Sequence, residues 1–186
     1  MSGYYFTVAS LPLLSYDKFP FIDIQYFLQT CKSHLQKNDF IMLSKVKIDK
    51  LSKVKPCSPA YARYQEWEKS LRNALVMLRA GKKGVDAKAY LVEGREIFGV
   101  DKIARQAFEE DSPLKAEHIL NRGRWIFLEE LELGHYFDIE KLVIFYLMLQ
   151  VLERKAIFDF DRGKEYFESI CKSVNEKIRS GVKLYE

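Results

Sequence analysis

Cysteine is scarce in this chain. Its 186 residues hold three, Cys31, Cys57 and Cys171, odd in number, far apart and without C-x-x-C spacing. Neither a disulfide scaffold nor a zinc ribbon is expected from them, and a reducing cytosol is the expected setting. The three histidines, His34, His118 and His135, show no H-x-x-x-H or H-E-x-x-H spacing, so no metal site is expected. Long apolar runs are missing too. The longest, Leu142 to Leu152, spans 11 residues, includes Gln150 and lies between Lys141 and Glu153. A membrane span takes about 20 apolar residues, so this run reads as a buried helix. No basic residue precedes Lys18, and Met1-Ser2 lacks the glycine that N-myristoylation requires. Neither export nor membrane insertion is expected.

Catalytic and cofactor motifs are equally sparse. Gly94-Arg95-Glu96-Ile97-Phe98-Gly99 has the glycine spacing of a Walker A loop, but Val100-Asp101 stands where the lysine and hydroxyl residue belong. Phosphate and magnesium would then go unheld, and helix breaks explain the glycines. There is no G-x-G-x-x-G and no G-x-S-x-G. Glu129, Glu130, Glu132 and Asp159-Phe160-Asp161 read as solvated faces and caps, and Cys31 and Cys171 as core fillers on apolar faces. No catalytic residue, no cofactor and no metal ligand is assigned. An enzyme whose site assembles only in three dimensions ranks last among the readings.

What is present is a globular composition, 48% hydrophobic, 14% aromatic and 30% charged, enough for a core in one domain over residues 1–186. The hydrophobic spacing predicts an all-α, bundle-like fold of five to seven helices. Asp23, Ser58-Pro59, Ser112-Pro113, Asp138 and Asp161 have the chemistry of helix starts, and Gly134 and Gly181 of helix stops. Tyr4 to Leu11 reads equally as a short strand or a helical turn. Asp86 to Asp111 reads as a weak helix interrupted by Gly94 and Gly99. Gly81-Lys82-Lys83-Gly84 is the most linker-like tetrapeptide, a candidate boundary between lobes 1–81 and 85–186. Trp67, Trp125, Phe145, Leu149 and Phe167 are expected in the core.

Two strings stand out as surfaces. Between Ser44 and Lys55, five lysines (Lys45, Lys47, Lys50, Lys53, Lys55) face one acid, Asp49, and hold the whole formal net charge of +4. Val46 and Ile48 alternate with lysines as in an edge strand, while Leu43, Val46, Leu51 and Val54 suit a helix face. Either way the segment should be solvent-facing and locally mobile unless a partner covers it, because burying its charges without acids is costly. The second string, Arg124 to Asp138, packs aromatics around a helix–glycine–helix corner. From the residues alone the favoured reading is that Tyr136 and Phe137 staple the corner into the core; the alternative is an exposed His135–Tyr136–Phe137 edge that anchors a partner.

The corner string also carries a resemblance. Leu128-Glu129-Glu130-Leu131-Glu132-Leu133-Gly134-His135-Tyr136-Phe137-Asp138 resembles an uncharacterised bacterial family encoded among the subunits of V-type ATPases. Tyr4-Tyr5 with Val8-Ala9-Ser10-Leu11-Pro12, Tyr64 to Trp67, Leu71-Arg72-Asn73-Ala74-Leu75, Arg124-Trp125 and Leu152-Glu153-Arg154 match it as well. A weaker similarity reaches the V-type subunit, called C or d, that seats the central stalk on the rotor ring. The resemblance implies a non-catalytic subunit or assembly factor of a proton- or sodium-translocating V-type ATPase. It would be cytoplasmic, peripheral to the membrane face, and would contact ATPase subunits on the central-stalk or rotor side. The alternative function is a nucleic-acid-binding helical module using lysines 45–55, although that segment lacks the arginines and interleaved aromatics of base readers.

Overall fold

The computed structural model describes residues 3–18, 20, 22–51, 58–157 and 160–182. The fold is all-α, as the spacing predicts. The described residues form eight α-helices rather than five to seven: α1 (Gly3–Ser10), α2 (Ile24–His34), α3 (Lys37–Ser44), α4 (Pro59–Lys83), α5 (Val100–Glu109), α6 (Pro113–Glu132), α7 (Ile139–Ile157) and α8 (Phe160–Val182). Of Tyr4 to Leu11, Tyr4 to Ser10 resolve as helix. The stretch after Asp86 is a single 3-10 turn, Ala87–Tyr90, then extended chain to Gly99, where a positive φ of 84° starts α5.

α7 is the axis of the fold. Ten of its residues are buried, among them every one from Leu142 to Leu149, because α1, α2, α3, α4 and α6 pack around it. Its carboxylates also receive helix starts. Glu140 accepts bonds from the Ser58 hydroxyl (2.6 Å) and the Ala60 amide (2.8 Å) at the head of α4, and Glu153 accepts from the Ile24 amide (3.1 Å) at the head of α2. Both acids meet the positive end of a helix dipole. The caps at Asp23, Ser58, Ser112 and Asp138 are observed. Asp161 is not a cap residue, since α8 has already begun at Phe160.

A second apolar cluster joins Trp67, Leu71 and Leu75 of α4 to Val100, Ala104 and Ala107 of α5 and Leu120 of α6. It meets the α7 core at Phe127, whose ring stacks on Trp67 at 5.0 Å. The two cores thus divide along the length of α4 and α6. Gly81 lies within α4, and Gly84, with φ of 65°, forms its left-handed stop.

Trp67, Trp125, Phe145 and Leu149 are buried as expected. Phe167 is not: it is 67% exposed, and Tyr166, Ile170, Val174 and Ile178 stand exposed along the same helix. Periodicity identifies an apolar stripe on α8 but not a surface to receive it. The circumference of α7, the natural receptor, is already filled by five other helices.

Candidate partner-binding surfaces

The lysine segment is held from beneath. Every backbone carbonyl from Val46 to Lys50 accepts a side-chain hydrogen bond. Gln150 donates to Val46 O (3.2 Å), Tyr61 to Lys47 O (3.0 Å), Tyr64 to Ile48 O (3.4 Å), Arg72 to Asp49 O (2.9 Å) and Gln65 to Lys50 O (3.2 Å). The amides of Lys47 and Ile48 donate in turn to Tyr61 Oη (3.2 Å) and Gln150 Oε1 (3.0 Å). Val46 and Ile48 are buried while Lys45, Lys47 and Lys50 are exposed. The alternation is that of a strand, but the bonding partners are side chains, and neither a strand nor a helix face forms there. Lys45, Lys47 and Lys50 face solvent as expected. The local mobility expected for them does not fit Val46 to Lys50, whose carbonyls are all engaged. Lys53 and Lys55 lie outside the described residues, as does Cys57.

The only acid of the segment has its own partner, since Arg154 pairs with the Asp49 carboxylate and with Glu117 (3.2 Å). The clamp residues Tyr61, Tyr64, Gln65, Arg72 and Gln150 escaped the sequence reading. Gln150 carried a signal: a polar side chain inside an apolar run must find a partner or leave the core.

The corner at Gly134 turns outward. Gly134 adopts φ of 90° and carries the next three residues around the outside of the α6–α7 junction. His135 Nδ1 lies 2.6 Å from Asp138 Oδ2, and Asp138 Oδ1 accepts the Lys141 amide at 2.8 Å. Tyr136 is 71% and Phe137 49% exposed, so the staple into the core is corrected. Ile139 takes the core position instead. Phe137 stacks at 4.6 Å against Tyr5 of α1, itself exposed, and Leu133 is exposed beside them. Residues far apart in sequence therefore build one aromatic edge, to which Tyr5 is an addition that only the fold reveals.

The carboxylates of the corner are engaged structurally. Glu129 accepts the Trp125 indole N–H at 2.6 Å, and Glu132 pairs with Lys141. Among the described residues no group of three or more His, Cys, Asp or Glu side chains could hold a metal ion. Deeper in, Glu68 is fully buried and is gripped by Arg124 at 3.0 and 3.1 Å and by Arg72 at 2.8 Å. Burial works against the Arg124 charge, but the Glu68 carboxylate outweighs it and holds the guanidinium above its usual range. An ion pair this enclosed locks α4 to α6. A groove of about 890 Å³ opens between α4 and the chain after Leu91. Asn73 there pins Val92 by two bonds, of 2.7 and 2.9 Å, and the glycine pair sits in this extended chain rather than in a phosphate loop.

An all-α protein whose conspicuous surface features are a clamped lysine face, an aromatic edge and an uncovered helix stripe is defined by these observations. Residues 97–178, which include the corner, match the family model described as "Protein of unknown function (DUF2764)". Neither a curated protein nor a solved structure matches the chain. Among the described residues no helix is long and apolar enough to cross a membrane.

Proposed function

We propose that this chain is a non-catalytic accessory component of a V-type ATPase, a subunit or assembly factor, that docks on its partner through the aromatic edge at Gly134. The observation that carries the docking is the exposure of Tyr136 and Phe137 on a capped corner, where Phe137 packs on Tyr5. Aromatics held in place before binding concentrate affinity, because little side-chain freedom remains to be lost. The ATPase as partner is supported by the resemblance of the corner string to a family encoded among V-type ATPase subunits. The exposed lysines at 45, 47 and 50 would steer an acidic partner surface toward the edge, and the cytoplasmic side of the membrane is where such a partner would be met.

The test is affinity capture of the tagged chain, expressed at native level, from both soluble and membrane fractions. ATPase subunits should be recovered with the wild type and lost with Tyr136→Asp/Phe137→Asp. Loss of one such anchor costs 2 kcal/mol or more, about thirtyfold in affinity. Recovery of no ATPase subunit from either fraction would refute the partner. Undiminished capture by the double variant would refute the edge.

A further inference from the structure

Tyr16, in the connection between α1 and α2, collects two cations. The Arg122 guanidinium lies 4.8 Å and the Lys155 ammonium 4.3 Å from its ring centre, so no more than about 9 Å separates them. The ring is fixed by its neighbours. Its hydroxyl donates to His118 O (3.2 Å), Lys155 Nζ donates to the Tyr16 carbonyl (2.7 Å), and Trp125 packs at 5.7 Å. Two arginines nearby have carboxylate partners, Arg124 with Glu68 and Arg154 with Asp49 and Glu117, whereas Arg122 is exposed and Lys155 half-buried. Among the described residues no carboxylate lies within ion-pair distance of Arg122 or Lys155. Asp17, next to Tyr16 in the chain, is exposed and pairs with neither.

These two cations border an open groove of about 530 Å³ between α5, α6 and the end of α7. Its wall is apolar, from Ile103, Ile119 and Ile126. The helices approach closely because α6 has Gly123 where it faces α5: a Cβ at that position would lie 3.0 Å from Ile103 Cγ2. The volume falls in the range of small-molecule sites, which combine an apolar body with a few convergent polar groups. A single cation would suffice to stack on Tyr16. A second cation brought to the same ring without an acid adds repulsion that an anion relieves. Both head groups are already oriented by the ring, so they can grip a ligand with little further ordering.

We propose that this groove binds a small amphiphilic organic anion, with its charged head between Arg122 and Lys155 and its apolar body against Ile103, Ile119 and Ile126. The site is separate from the aromatic edge and is tested on the chain alone, without any partner.

The experiment follows the fluorescence of dansyl-labelled undecanoic acid as the protein is added, below the micellar concentration. Decanoate, decyl phosphate and decanol then compete for the site. The anions should displace the probe, with decanol weaker by about tenfold or more, and rising salt should loosen the anions but not decanol. Whichever anion competes better identifies the head group as carboxylate or phosphate. Arg122→Gln/Lys155→Gln should weaken probe binding about tenfold, with unfolding checked by circular dichroism. Ile126→Asn, at a half-exposed position of the wall, should weaken it without placing a charge beside Arg122. Failure of both anions to displace the probe, equal competition by decanol, or full binding by the folded double variant or by Ile126→Asn would each overturn the proposal.

Discussion

Replacing Arg124 by methionine tests the buried lock between α4 and α6. Glu68 is inaccessible to solvent and Arg124 is 6% exposed. The guanidinium meets both carboxylate oxygens, at 3.0 and 3.1 Å, and uses a further N–H on Asn121 Oδ1 at 2.9 Å. Methionine keeps much of the apolar stem but leaves the carboxylate with Arg72 alone, whose side chain is 38% exposed. Stranding one member of a buried pair costs about 3–5 kcal/mol. Because Arg72 still compensates in part, about 3 kcal/mol is expected for Arg124→Met. In a chain of this size that lowers the melting temperature by roughly 6–12 °C. Glu68→Leu should be at least as damaging, since it leaves two cations facing each other. The double variant should recover to within about 1 kcal/mol of wild type, because removing both charges also removes the cost of desolvating them. Urea unfolding followed by circular dichroism measures all four proteins. A loss below about 1 kcal/mol for Arg124→Met, or losses that simply add in the double variant, would refute the reasoning.

Three further outcomes are expected. Tyr61→Phe removes the hydroxyl that both accepts from Lys47 N and donates to Lys47 O. It should cost about 1–3 kcal/mol in urea unfolding and speed amide hydrogen exchange around Lys47. Burial pushes the Cys31 thiol up to about 12, so iodoacetamide at about pH 8.5, near the ordinary thiol value, should spare Cys31 in the folded chain while alkylating half-exposed Cys171, as read by peptide mass spectrometry. The Tyr4 hydroxyl donates to Asp39, and that bond, with burial and the Asp39 charge, raises its pKa to about 12. A group raised above its unfolded value of 10.0 contributes stability that is full below pH 10 and is lost as pH climbs toward 12. Stability measured across that window should therefore fall for wild type and stay flatter for Tyr4→Phe.

How much was legible can be followed residue by residue. Helix starts at Asp23, Ser58-Pro59, Ser112-Pro113 and Asp138 depend on bonds to amides three residues away or fewer, so local sequence contains both partners. The burial of α7 was legible as well, because an apolar run broken only at Gln150 has almost no polar face to offer water. The clamp over Val46 to Lys50 was not. Its donors come from α4 and α7, up to 104 residues away, and no spacing rule connects them. Tyr136 and Phe137 show the same limit, since a glycine corner specifies a turn but not the side of the bundle toward which it opens.

The sequence by itself determined that this chain is helical, where most of its helices begin, and which of them is apolar all round, because those properties arise from period and from neighbours within one turn. Only the tertiary structure decided which stripes are covered. Five helices fill the circumference of α7 and leave the face of α8 exposed; Glu68 finds Arg124; and Arg122 and Lys155 meet on Tyr16 beside an apolar groove. Each is a matter of which surfaces meet and which find no room, and that depends on the whole arrangement of helices rather than on any one of them.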